Sequence, residues 1–265
     1  MSNIIFFKWK LLVKKIIQVC LSLFSAFIII GILKKFKWSI GISFYYLPSL
    51  SELLNKFIFS FSSIRFYNDI LFSVGRVYGG FLIAFIVALP LAILITEYKV
   101  ANYIIFPLIE FIRPIPNAAW VPISILLFNS LDGSVIFITF IGSFFPILIN
   151  SIGGLSTVNS NYLRIAKSFN ISRISCIFKV KLPAAGHSIF TGALLGMSGS
   201  WLGVVVAEMM NGEAGIGYVT WVNYTLVDMS GVIVCMFTIG FLGALSSLII
   251  RKINDFMHWD GKNND

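Results

Sequence analysis

Tyr162–Pro183 reads YLRIAKSFNISRISCIFKVKLP, a basic and polar stretch set between two long apolar blocks. Arg164, Lys167, Arg173, Lys179 and Lys181 supply its charge, and it contains no Asp or Glu. Its apolar residues recur at helical spacing, first Leu163, Ala166 and Phe169, then Ile174, Ile177 and Phe178. Asn170, which tolerates left-handed backbone, lies between the two runs. Ser172 is placed to cap the second run and Pro183 to end it. The spacing predicts a short helix, a turn and a second short helix, all outside the bilayer.

The flanking blocks set the class. The chain is 58% hydrophobic and 12% charged, with a mean hydropathy of +0.91. A soluble domain of 265 residues needs a more polar shell than this. An all-α, polytopic membrane protein follows. Its net charge of +9 is accounted for by Lys and Arg flanking the spans, so nucleic acid is not implied. Cys20, Cys176 and Cys235 have no disulfide or metal-site spacing. Lys8, Lys10, Lys14 and Lys15 precede an uncharged run from Ile16 to Leu33 that lacks an A-x-A cleavage site, which predicts a retained first span.

With about 20 apolar residues per crossing, the candidate spans are 16–33, 77–96, 115–131, 134–151, 188–207 and 230–250. Residues 100–112 are too short to cross and read as an interfacial or half-inserted helix. Leu50, Leu53, Leu54, Phe57 and Ile58 predict an amphipathic surface helix before the second span. The domains divide as an N-terminal span and amphipathic segment (1–72), a transmembrane domain (73–253) with a polar loop at 152–187, and a tail (254–265). Cations crowd the 152–187 loop and follow the last span at Arg251 and Lys252, whereas 208–229 has acids and no Lys or Arg. That bias predicts a cytoplasmic loop and cytoplasmic termini; Lys34, Lys35, Lys37, Lys56, Arg65 and Arg76 run against it.

Catalytic patterns are missing. There is no GxxxxGK[ST] loop to cradle ATP phosphates, and His187 and His258 stand apart from any Cys or carboxylate pair. Two other stretches stand out. In Phe111–Phe128, Arg113-Pro114-Ile115-Pro116 forbids a continuous helix, Pro122 frees a carbonyl, and Glu110 is spaced to pair with Arg113. Broken backbone at membrane depth faces protein or a water-filled cavity, so a kinked anchor and a gate are both open readings. In Trp201–Tyr218, Glu208 near a span end is an interfacial carboxylate or a pathway group, and Gly212, Gly215 and Gly217 break the helix. Gly192, Gly196, Gly199 and Gly203 share one helix face, as close helix packing requires.

Together these stretches resemble the permease subunits of bacterial ABC importers, in the nitrate/sulfonate/taurine-type branch. That family's cytoplasmic signature, EAA, three residues, G, nine residues and I-x-LP, falls on Arg164-Ile165-Ala166, Asn170 and Val180-Lys181-Leu182-Pro183. Its spacing is intact, with Arg for Glu, Ile for Ala and Asn for Gly. Ser73-Val74-Gly75-Arg76, Arg113-Pro114-Ile115-Pro116 with Ala119-Trp120-Val121-Pro122, and Trp201-Leu202-Gly203 through Gly215-Ile216-Gly217-Tyr218 resemble further segments of the branch, in order over residues 47–250.

The resemblance implies a type I importer permease fold of about six transmembrane helices in the bacterial plasma membrane. It implies that the chain is not an enzyme and needs no cofactor, with ATP used by partner ATPase subunits. A second permease copy, identical or not, and an extracytoplasmic solute-binding protein complete the assembly. Leu163, Arg164, Ile165, Ala166, Lys167, Phe169, Asn170, Arg173, Leu182 and Pro183 would form the ATPase-coupling element. Arg113, Pro114, Pro116, Trp120, Trp201 and Glu208 would serve the pathway or its gate. The competing readings are an ion-driven secondary transporter or channel, and a membrane scaffold. The former usually shows internal repeats or deep interior charge, and neither is evident.

Overall fold

A computed structural model of the chain describes residues 48–256, and among these every element is helical. The predicted first span at 16–33, Cys20, His258 and residues 257–265 lie outside the described residues. Helix α1, Leu50–Ser62, is the expected amphipathic helix. Helix α2, Ile64–Glu97, begins well before the predicted start at residue 77. The polar residues that closed the apolar window, Asp69, Ser73 and Arg76, are buried. Protein partners satisfy them, so the helix need not stop where the hydropathy falls.

The predicted span at 115–131 is corrected. Helix α3, Lys99–Ile112, is followed by a break at 113–116, a 3₁₀ turn at Asn117–Trp120 and a short α4, Val121–Leu127. α3 and the segment Asn117–Leu127 are bent by 96° and reach span length only together. The break falls at Pro114 and Pro116, which lack the N–H donors that would continue the helix, while Arg113 before them is still helical at φ −51° and ψ −39°. Pro122 frees no carbonyl in mid-span, because it sits in the first turn of α4, where no N–H is required.

Helix α5, Leu131–Ser156, opens on Ser130, whose Oγ accepts from the Gly133 N–H at 3.2 Å. Helix α6 is Ser160–Ser168, capped by the Asn159 side chain. It ends as the spacing predicted, with Asn170 at φ 50°, the Ile171 N–H on the Ala166 carbonyl at 3.1 Å and the Asn170 N–H on that of Lys167 at 2.9 Å. This paired closure uses the left-handed residue that replaces the family's glycine. Ser172 caps the next run, also as predicted. Pro183, however, does not end it. Arg173–Asn211 is one 39-residue helix, α7, in which a π segment at Ile177–Lys181 precedes Leu182 and Pro183. The wider π turn accommodates a ring that would clash with the carbonyl four residues back in a regular helix. α8, Ile216–Thr225, and α9, Met229–Phe256, complete the chain.

Four of these helices, α2, α5, α7 and α9, are long and apolar enough to cross a membrane, and the bent α3–α4 pair makes up to five among the described residues. α5 is central, packed against both α2 and α7. The glycine face of α7 lies against it: a Cβ at Gly203 would stand 3.0 Å from the Ile138 carbonyl, and one at Gly196 would stand 3.1 Å from that of Ser143. Ser143 Oγ donates to the Gly196 carbonyl at 2.9 Å and pairs with Ser200, whose Oγ reaches the Thr139 carbonyl at 3.0 Å. Backbones this close let short hydroxyls bridge the two spans.

Between α8 and α9, Val227 adopts φ 59° in a left-handed helix end, with the Asp228 N–H on the Asn223 carbonyl at 2.8 Å. A β-branched residue there is strained by about 1–2 kcal/mol. Val227→Gly is therefore expected to stabilise the protein by about 1 kcal/mol, read as a higher Tm in detergent. A lower Tm would show that the Val227 side chain contributes more than its backbone costs.

Candidate functional site

Charge and packing separate the two ends of the bundle. At the end carrying residues 160–181, α6 and the first turns of α7 project cations together with large apolar side chains. Ile165 is 55% exposed, Phe169 74%, Ile174 70% and Phe178 63%. A segment this basic belongs in water, where several large exposed apolar side chains mark a contact. Of the residues expected to couple to a partner, Arg164, Ile165, Lys167, Phe169, Asn170, Arg173 and Pro183 are exposed. Leu163 and Leu182 are half-buried, and Ala166 is buried and faces the bundle. Ile174 and Phe178, which the sequence marked only by their helical spacing, are exposed as well.

Two residues the sequence reading passed over, Glu97 and Tyr98, hold this end together. Glu97 pairs with Lys181 and with Arg173, the latter at 3.3 Å. The Arg173 guanidinium lies 4.6 Å from the Tyr98 ring centroid. Arg173 is thus engaged by α2, although more than half of its side chain remains exposed.

A groove of about 530 Å³ opens beside the α5–α7 seam, lined among others by Arg113, Asn117, Phe145, Asn150, Ser198 and Leu202. Arg113 at its rim pairs with Glu110 at 3.0 Å, as the spacing predicted. The 113–116 break thus delivers a cation and an amide to one concave face. Pro114 and Pro116 are exposed, and Trp120 has its Nε1 buried without a hydrogen-bond partner.

Trp201 and Glu208 do not line this groove. Trp201 is buried and donates from Nε1 to Ser246 Oγ on α9 at 3.2 Å. Glu208 is 1% exposed, so protein partners rather than water meet its charge. It accepts from Ser73 Oγ at 2.8 Å, from Arg76 Nη1 at 2.8 Å and from the Gly217 N–H at 2.9 Å. Arg76 also pairs with Asp132 at 2.7 Å and donates to the Ala214 carbonyl at 2.7 Å. The Gly215 N–H donates to Asp69 at 2.9 Å. Gly212 and Gly215, at φ 66° and 112°, make the turn, while Gly217 lies inside α8 rather than breaking a helix. Two acids around one arginine thereby tie α2, α5, α7 and the 212–217 turn into a closed ionic knot.

Known proteins resemble this chain over most of its length. Residues 80–258 match the family model for the binding-protein-dependent transport system inner membrane component. An ABC transporter permease protein of Methanocaldococcus jannaschii is 39% identical over 79% of this chain and 80% of its own. The nitrate import permease protein NrtB of Leptolyngbya laminosa is 34% identical over 68% of this chain and 65% of its own. The bicarbonate transport system permease protein CmpB of Synechococcus elongatus is 36% identical over 65% of this chain and 63% of its own. The solved structure of the MetNI methionine ABC transporter, in inward-facing conformations, contains a chain that superposes with a TM-score of 0.60 at 13% identity. That match covers 71% of this chain and 94% of the other.

Proposed function

Because the chain belongs to the family of binding-protein-dependent transport system inner membrane components, and so is an ABC importer permease and not an enzyme, we propose that it conducts a small oxyanion and is driven through its 160–181 surface by a separate ATPase. The observation that carries the coupling is the exposure of Ile165 and Phe169 at α6 and of Ile174 and Phe178 on the first turns of α7, in a segment whose only charged residues are cations. ATP is used by the ATPase pair, which seats α6 in a groove and moves the spans as rigid bodies. Two permease copies form the pathway, and an extracytoplasmic binding protein delivers the solute. Both termini and the 152–187 loop lie in the cytoplasm. Support for the solute class comes from the nitrate and bicarbonate permeases among the relatives, and from the cation and neutral donors around the groove.

The test is co-purification and one-sided labelling. The full-length chain, expressed with its candidate ATPase, is expected to retain that subunit through size exclusion. With the native cysteines replaced by serine, Ser168→Cys is expected to react with an impermeant thiol reagent only from the cytoplasmic side. Glu213→Cys, chosen over the left-handed Gly212, is expected to react only from outside. Recovery of the permease without an ATPase would overturn the coupling assignment, and reversed labelling would overturn the orientation.

A further inference from the structure

α2 and α7 are joined by ions at both of their facing ends, with the charges reversed. At one end α2 supplies the cation Arg76 and α7 the acid Glu208, at 2.8 Å. At the other, α2 supplies the acid Glu97 and α7 the cations Lys181 and Arg173. The second arrangement is more than a surface pair. The Glu97 side chain is only 8% exposed. One carboxylate oxygen meets Lys181 Nζ, and the other accepts from Arg173 Nε at 3.3 Å. Arg173 Nη2 donates to the Glu97 backbone carbonyl at 2.7 Å. That carbonyl ends α2, where no intrahelical donor remains and the helix dipole is negative, so a cation is matched to it twice over.

The π segment explains how both cations reach one acid. Eight residues separate Arg173 from Lys181, which puts them about 80° apart around a regular helix. The wider turn at Ile177–Lys181 lies between them and reduces that offset. Arg173 also follows the α6 turn directly, through Ile171 and the Ser172 cap. Any force on the exposed α6 surface is therefore applied beside the contact that grips the end of α2.

We propose that Glu97 is the positioning residue through which displacement of the 160–181 surface reaches α2, so that α2, α5 and α7 turn as one body during transport. The proposal rests on the ATPase-coupling reading above. α5 is held between α2 and α7 by packing and by the hydroxyl seam; Glu97 closes the near end and Arg76 the far end. Without Glu97, α7 still moves with the ATPase and α2 lags behind it. ATP is then hydrolysed with little solute moved.

The experiment uses the complete transporter, with ATPase and binding protein, in proteoliposomes. It measures solute uptake and ATP hydrolysis together, with labelled nitrate and bicarbonate as the probe solutes and the retained ATPase quantified separately. Glu97→Gln is expected to lower uptake per ATP at least fivefold with the ATPase retained, and Glu97→Asp to recover more than half of that loss. In a background with serine at the native cysteines, E97C/K181C is expected to be uncoupled to the same degree. A short, reducible bis-methanethiosulfonate bridge between its thiols is expected to restore coupling, and reduction to remove it again. If Glu97→Gln sheds the ATPase, the bridged double variant decides, because restored association and coupling support the proposal and their absence overturns it. Unchanged uptake per ATP in Glu97→Gln also overturns it. Failure of the parent chain to hold any ATPase, or to take up either solute, overturns the coupling or solute reading instead, and is seen before any variant is compared.

Discussion

Arg76→Met is expected to destabilise the protein by about 3–5 kcal/mol, because it leaves the Glu208 carboxylate buried with no counter-charge. Glu208 is 1% exposed, and its remaining donors, Ser73 Oγ and the Gly217 N–H, are neutral. Asp132 loses a partner as well, but its side chain is 61% exposed and water replaces the contact. Over a chain of this size the loss corresponds to a fall of about 10 °C in Tm, readable by tryptophan fluorescence of the purified protein in detergent. The double change R76M/E208Q removes both charges and keeps an acceptor for Gly217 and Ser73. It is expected to recover more than half of the loss, since a neutral, still hydrogen-bonded replacement carries no uncompensated buried charge. A single variant that melts within 1 °C of the parent would show that the knot contributes nothing to stability.

The second large effect concerns association. Phe169→Asp is expected to weaken retention of the ATPase by about 30-fold or more, the loss usual for a central aromatic anchor. The membrane-inserted fold should be left intact. Phe169 is 74% exposed and closes α6 through its backbone, with its N–H on the Ile165 carbonyl at 3.1 Å, so its side chain can change without disturbing the helix end. The melting temperature of the isolated chain serves as the control and is expected to move by less than 2 °C. Ala166→Asp offers the contrast: Ala166 is 3% exposed against the bundle, and a carboxylate there should lower Tm as well as binding. Unaltered retention of the ATPase by Phe169→Asp would remove the 160–181 surface as the docking site.

The sequence made the four long spans at α2, α5, α7 and α9, the 113–116 break, the turn at Asn170 and the Ser172 cap legible, because each depends on local chemistry: apolar length, proline, a left-handed residue or a short hydroxyl. What it hid depends on partners distant in the chain. Ile64 as the true start of α2 could not be read while Asp69, Ser73 and Arg76 looked like water-facing residues. Their bonds are made to Asp132, Glu208 and the 214–216 backbone. For the same reason the partners of Glu208 could not be read from its place near a span end. Pro183 reads as a stop under a rule for regular helices, and the π segment before it suspends that rule. Glu97 offered no signal of its own, since a lone acid at a span end is ordinary until Lys181 is found against it. Of the pathway set, only Arg113 lines the groove, joined there by Asn117 from beyond the break. Trp201 and Glu208 are spent on packing and on the ionic knot.

The knot and the hydroxyl seam also bear on how the chain is made. α7 is not self-sufficient in the bilayer, since it carries Glu208, Ser200 and a face of glycines. A charged side chain released into lipid costs about 2.5–3.5 kcal/mol at mid-membrane, less near an end. The groups that receive it, Ser73 and Arg76 on α2, and Thr139 and Ser143 on α5, are all synthesised earlier. Chain order thus builds the socket before the plug emerges from the ribosome. A circular permutant that made α7 first would present Glu208 to the bilayer with nothing yet there to meet it.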